Sequence, residues 1–119
     1  MNGRAPTIVL WILQILLAAV FFMAGGSKLA GVMPAVDMYN QIGWGQWFRY
    51  ATGVIEVGSA VMLLIPSLAM YGAALLICTM IGAIITHFTV LHTPPTGPVV
   101  LLLLSSVIAW LRRPTRIPA

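Results

Sequence analysis

Ionisable side chains are scarce in this sequence, and the few that interrupt its apolar runs hold most of its chemistry. Glu56 lies in the run Thr52-Gly53-Val54-Ile55-Glu56-Val57-Gly58. On a helix its neighbours three and four residues away are Thr52, Gly53, Ser59 and Ala60, all small and two of them hydroxylic. Such a face can approach another helix closely, so Glu56 is expected to point at protein and not at lipid. An ionised group at mid-helix costs roughly 2.5–3.5 kcal/mol on insertion scales, so it needs a partner or a role. Lys28 is the best candidate cation. Gln14, Ala18, Phe21, Gly25 and Lys28 recur at helical spacing and form one polar-to-small stripe. Thr79, Ala83, Thr86 and His87 share a face on a later run, and Arg49 opens the run that carries Glu56. An acid, an ammonium and an imidazole in one apolar pocket can exchange protons with a bound group. Glu56, His87 and Lys28 are therefore the candidate catalytic set, with Arg49, Thr52 and Thr79 as candidate ligand contacts.

Each of these residues also has a purely structural role open to it. Lys28 and Glu56 can form an interhelical pair that fixes register. Arg49 can snorkel to an interface, and His87 can hydrogen-bond a carbonyl at a helix end. Gln14 is expected to hydrogen-bond between helices. Asp37 and His92 are expected in solvated loops.

The elements that must position these groups follow from composition. The chain has 119 residues, of which 61 % are hydrophobic and 7 % charged. Its mean hydropathy is +1.02. Soluble domains carry about a quarter charged residues, and a chain this short could not bury so much apolar surface in water. A soluble enzyme and a disordered chain are excluded, leaving one integral membrane domain over 1–119. A spanning helix needs about 20 mostly apolar residues. Four candidates occur: Thr7–Gly26, Trp47–Ile65, Leu68–Leu91 and Gly97–Leu111. The run Ile8–Met23 exceeds the roughly 7–15 residues of a signal-peptide core, so a retained span is expected. Pro66 and Ser67 separate spans two and three, making them antiparallel neighbours, with Ser67 available as a helix cap. The longer first connection, from Ser27 to Gln46, holds Pro34, Gly43, Trp44 and Gly45 and reads as a partly helical segment at the outer interface.

The fold class is thus all-α, an integral membrane four-helix bundle. Four spans place both termini on one side. Arg4, Arg112, Arg113 and Arg116 fall on that side, Lys28 and Arg49 on the other. The positive-inside rule makes the termini cytoplasmic and the protein a multi-pass component of the cell membrane. Trp11, Tyr71 and Trp110 then mark the inner interface, and Trp44, Trp47 and Tyr50 the outer. Lys28, Arg49, Glu56 and His87 all fall in the outer half. The basic residues flank apolar runs and form no stripe, so nucleic acid is not a partner.

Cys78 is the single cysteine, so no intrachain disulfide forms, and a disulfide-exchanging role is excluded. It is expected to behave as a small buried hydrophobe. His87 and His92 are five residues apart and share no helix face, so no metal site is expected.

The segment Phe22-Met23-Ala24-Gly25-Gly26-Ser27-Lys28-Leu29 resembles the F-x-x-x-G-x-x-K-L signature of DoxX-like membrane proteins. Thr52-Gly53-Val54-Ile55-Glu56-Val57-Gly58 is similar to their T-G-x-x-E-x-x-G second helix. Leu64-Ile65-Pro66, Met80-Ile81-Gly82-Ala83 and then His87 fit their third helix, so the likeness covers nearly the whole chain. The resemblance implies a four-helix bundle with cytoplasmic termini, and it carries the family's polar positions onto Lys28, Glu56 and His87. The family takes its name from a subunit linked to thiosulfate:quinone oxidoreduction, and distant relatives assist membrane-protein assembly. The implied function is a quinone-linked, redox-associated subunit, with quinone as the implied cofactor. The lipid bilayer, a redox-complex protein and a second copy of the chain are the expected partners. Two other classes stay open: a non-catalytic scaffold or assembly factor, and a small acid/base isomerase using Glu56 and His87.

Overall fold

The computed structural model describes residues 4–112. Every element in it is helical. In order these are α1 (Arg4–Ala30), α2 (Met33–Ile42), α3 (Gln46–Leu63), α4 (Ala69–Thr86) and α5 (Thr96–Leu111), with a π-helical turn, His87–Leu91, extending α4. Arg113 and Arg116, used above to orient the chain, lie outside the described residues.

Leu17, Phe21, Leu63, Leu76 and Ile108 are fully buried, so α1, α3, α4 and α5 feed one core. α1 packs chiefly on α3 and also touches α5; α4 packs on α3 and on α5. The outside is apolar: Leu16, Met23, Ile85, Leu103 and Trp110 are among many large exposed side chains. Such an exterior needs a hydrocarbon solvent. Two helical stretches, Thr7–Ala30 and Ala69–Leu91, are long and apolar enough to cross a membrane. α3 and α5 are shorter, at 18 and 16 residues.

Glycines set the closest helix approach. A methyl group on Gly25 would lie 2.8 Å from the Gly53 carbonyl oxygen, and one on Gly53 would lie 2.9 Å from Leu29 Cγ. The backbones of α1 and α3 therefore meet where neither has a side chain. Gly72 does the same between α4 and α3, where a methyl would sit 2.8 Å from Met62 Cβ.

A polar clamp holds the other end of the bundle. Gln14 is 0 % exposed, and its Nε2 donates to the Leu63 carbonyl at 2.6 Å. That carbonyl is one of the last four of α3, which have no partner within the helix. Gln14 Oε1 in turn accepts from Arg112 Nε at 2.7 Å, and the Arg112 guanidinium lies 5.3 Å from the Trp11 ring centre. Arg112 is thus turned onto the bundle and is not simply a flanking surface charge.

Several boundaries differ from the sequence expectation. α1 continues past Gly26 to Ala30, because nothing in Ser27-Lys28-Leu29-Ala30 breaks a helix. It stops at Gly31, whose φ of +73° is left-handed. The first connection is thereby reduced to residues 31–45, and it is partly helical as expected, most of it being α2. Asp37 is exposed but helical, not in a loop. Ser67 does not cap α4; the cap position is Leu68, with no side-chain hydrogen bond, and a turn hydrogen bond from Leu68 N to the Ile65 carbonyl replaces it. The third span is not one α-helix. Its last turn opens to π geometry, ended by His92 at φ +52° ahead of Pro94 and Pro95, which cannot continue a helix. Cys78 is exposed and not buried, because it lies on a face of α4 that no other helix covers.

Gly53→Ala is expected to lower stability in detergent by about 1–3 kcal/mol, by forcing α1 away from α3. Gly58→Ala, where a methyl meets nothing within 4 Å, serves as the neutral control. Thermal unfolding of the two variants beside the parent checks this, and equal melting temperatures would mean that the glycine contact does not set the helix spacing. Gln14→Leu is expected to cost about 1–3 kcal/mol as well, since the Leu63 carbonyl and Arg112 both lose a buried partner.

Candidate functional site

The last turn of α1 and the middle of α3 create the site. Lys28 lies in the final turn of α1, where the helix dipole favours a cation. Because Gly25 and Gly53 bring the helices together, the lysine stem reaches across. Its Nζ donates to Glu56 Oε1 at 2.7 Å, with the two side chains 18 % and 3 % exposed. No other ion pair occurs among the described residues. Pairing makes a carboxylate tolerable there: the attraction and the hydrogen bond offset part of the desolvation cost.

The pair forms part of the wall of a cavity of about 580 Å³. α2 and its exit contribute Tyr39, Ile42 and Trp44; α3 contributes Phe48, Thr52 and Ile55. α4 contributes Cys78, Thr79, Ala83 and Thr86, and the π turn contributes His87 and Val90. Phe48 is the hub of the aromatic wall, its ring 5.6 Å from Tyr39 and 5.1 Å from Trp44. Ile55, Cys78, Ile85 and Val90 both line the cavity and are exposed, so it opens sideways between α3 and α4.

The structure brings Lys28, Glu56, His87, Thr52 and Thr79 to this one cavity. The threonine hydroxyls are already in use as donors. Thr52, Thr79 and Thr86 each donate to the carbonyl four residues back, of Phe48, Leu75 and Gly82, at 2.8–2.9 Å. What they can still offer the cavity is lone pairs. His87 Nδ1 lies 2.5 Å from Thr93 Oγ1, which ties the imidazole to the loop beyond the π turn. His92 is exposed and lies outside the cavity.

Arg49 is the departure among the candidate residues. It is 5 % exposed, so it neither snorkels nor lines the cavity. Its Nη1 donates to the Lys28 carbonyl, its Nε to Gln46 Oε1 at 2.6 Å, and it stacks 4.3 Å from the Tyr50 ring centre. Gln46 Nε2 donates onward to the Val36 carbonyl at 3.2 Å and to Asn40 Oδ1 at 2.8 Å. The Lys28 carbonyl is one of the α1 C-terminal groups with no intrahelical partner, which is why a guanidinium belongs there. Arg49 and Gln46 therefore join the ends of α1, α2 and α3 behind the ion pair. Gln46 and Arg49 lie one helical turn apart, and that spacing was the available signal for the network. Nothing in the local sequence marked Tyr39, Trp44 and Phe48 as cavity walls, because α2 brings two of them in from the first connection.

The geometry can hold an amphiphile with a polar head against Lys28 and Glu56 and an apolar body between α3 and α4. Among the described residues no three His, Cys, Asp or Glu side chains gather as a metal site would require. The model of the DoxX-like family matches residues 12–109. The chain belongs to the DoxX-like family. That match takes in every residue of this DoxX-like site, from Lys28 to Pro98. No curated protein and no solved structure matches the chain.

Lys28→Met is expected to destabilise the protein by roughly 3–5 kcal/mol, because it leaves Glu56 as an unpartnered buried acid. Glu56→Leu is expected to cost less, since the freed lysine stem can swing toward water. The double variant should regain most of the loss. Unfolding in detergent across this set is the measurement, and equal losses for the two single variants would contradict the pairing.

Proposed function

We propose that this DoxX-like protein is a multi-pass cell-membrane subunit that works beside a redox complex and binds a quinone headgroup against Lys28 and Glu56. The observation that carries the reading is the setting of the ion pair. It lies on the wall of a cavity of about 580 Å³ with apolar and aromatic sides, open on the flank where Ile55 and Ile85 are exposed. Pockets of 300–1,000 Å³ suit ligands of roughly this size class. A ligand dissolved in the bilayer can pass through that flank without crossing water, its tail staying in hydrocarbon. Lys28 holds Glu56 in place and donates to a ligand oxygen. Glu56 and His87 exchange protons with the ring oxygens, and Thr93 links His87 to the aqueous side. The partner complex supplies or removes electrons.

In this reading α1, α3, α4 and α5 are the four spans, and α2 lies across the outer end as a cover. At 1.5 Å per residue α3 and α5 reach about 27 Å and 24 Å, slightly under the hydrocarbon thickness of ~30 Å, so local bilayer thinning accompanies them. Lys28 and Arg49 are committed inside the protein and add little to the outer charge count. Arg4, Arg113 and Arg116 then dominate orientation and put both termini in the cytoplasm.

Titrating a short-tailed ubiquinone or menaquinone analogue into detergent-solubilised protein tests this. Trp44 on the cavity wall reports occupancy by fluorescence. Saturable quenching is expected, with affinity at least about tenfold weaker in Ala83→Phe, whose ring fills the cavity while leaving the ion pair alone. Quenching that never saturates, or that Ala83→Phe leaves unchanged, would return the protein to a scaffold or assembly role.

A further inference from the structure

α2 is attached to the bundle differently from the other helices. Of its ten residues only Tyr39 is buried. Met38, Tyr39 and Ile42 line the cavity, while Asp37, Asn40 and Gln41, on the opposite side of the helix, are exposed. Glycines in left-handed backbone flank it: Gly31 at φ +73° before it, Gly43 at +83° and Gly45 at +100° after it. Among the described residues, one side chain from another element hydrogen-bonds to α2. It is Gln46, whose Nε2 donates to the Val36 carbonyl and to Asn40 Oδ1. Gln46 Oε1 accepts from Arg49 Nε, which turns the amide so that Nε2 faces α2. Tyr39 adds an edge-on ring contact with Phe48. α2 also packs against the π turn, and among the described residues no hydrogen bond joins the two.

From this attachment we propose that α2 is a hinged cover latched by Gln46, and that its opening gives the cavity a second entrance, from the outer aqueous phase. The proposal rests on the reading that α2 lies across the outer end, and it holds whatever ligand the cavity takes. Hinges are a few residues at element ends that absorb a change in φ and ψ. Glycine does this at either sign of φ, and α2 has such a residue at each end, so it can move as a unit. Elements with few buried side chains open at the lowest free energy, and lids are drawn from them. α1, α3, α4 and α5 are held by the shared core, whereas α2 is held by one amide and one ring contact. Lifting α2 breaks both Gln46 hydrogen bonds and uncovers Tyr39. The polar side of α2 already faces outward, so opening exposes little beyond the face that lines the cavity. The two entrances then divide the work. The flank between α3 and α4 passes apolar molecules, and the α2 end admits water and small polar solutes to Lys28 and Glu56, which line the same cavity.

Thiol accessibility in sealed membrane vesicles of known sidedness tests this. The reagent is the charged, membrane-impermeant sulfonatoethyl methanethiosulfonate, added from outside. Cys78, itself exposed on the cavity wall, is first removed as Cys78→Ser. Three single-cysteine reporters are then compared: Thr86→Cys on the cavity wall, Asp37→Cys on the exposed side of α2, and Ala73→Cys in the core, where the parent residue is 0 % exposed. In right-side-out vesicles Asp37→Cys should react fast, Thr86→Cys at least about tenfold more slowly and Ala73→Cys not at all. Adding Gln46→Ala should speed Thr86→Cys at least about tenfold, and Asn40→Ala, which removes one of the two bonds, about threefold. The other two reporters should keep their rates. Thr86→Cys reacting as fast as Asp37→Cys in the unlatched and latched proteins alike would mean that nothing covers this end. A slow Thr86→Cys rate that neither added substitution raises would make α2 a fixed wall. Ala73→Cys becoming reactive in step with Thr86→Cys would make the effect general loosening. Each of these overturns the cover. Reaction of Asp37→Cys in inverted vesicles alone would overturn the outer placement of α2, a failure distinct from the other three. Asn40→Ala, exposed and cutting one bond only, decides the matter even if Gln46→Ala fails to fold.

Discussion

Everything at this site depends on how closely α1 can approach α3. Gly25 and Gly53 face each other with no side chain between them, and that contact lets a lysine at the end of one helix reach a carboxyl in the middle of the other. A carboxylate has no water to fall back on in an apolar bundle, so the ammonium must arrive at hydrogen-bond distance. The helix spacing is thus an electrostatic requirement as much as a packing one.

The ion pair is held from behind as well as from across. Arg49 captures the Lys28 carbonyl and, through Gln46, the body of α2. One carbonyl at the end of α1 that has no partner within its helix is satisfied by the guanidinium, and the Gln46 amide ties the same network to α2. The same network seats α2 over the cavity, which is how Tyr39 and Ile42 come to line it. At the opposite end Gln14 and Arg112 do the corresponding work on the last turn of α3. The bundle therefore has a polar clamp at each end and one paired acid between them, with hydrocarbon-facing side chains around.

Some of this was legible residue by residue. The stripe from Gln14 to Lys28 is buried along α1 except at Lys28, whose ammonium turns to Glu56. Glu56 is buried among the small neighbours that its spacing named. Periodicity can report such things because a helix face is a local property. Arg49 shows where it stops. At the start of a span an arginine is ordinarily free to reach an interface, and only the left-handed turn at Gly31 and the end of α1 lying beside it make an inward orientation favourable. The same holds for Cys78: an apolar run does not say which of its faces the neighbouring helices will cover. The π turn at His87 was invisible for a similar reason, since hydropathy does not register a change in helix pitch.

The amino-acid composition alone determined that this chain needs an apolar solvent, and the order of its motifs determined its DoxX-like character. Both are sums over residues or local spacings, so no fold is needed to read them. Tertiary structure decided which acceptors remain free, which charges are spent on backbone and which aromatic rings enclose the cavity. Those depend on the directions of side chains from five helices meeting in one place, and direction is a property that a linear pattern does not carry.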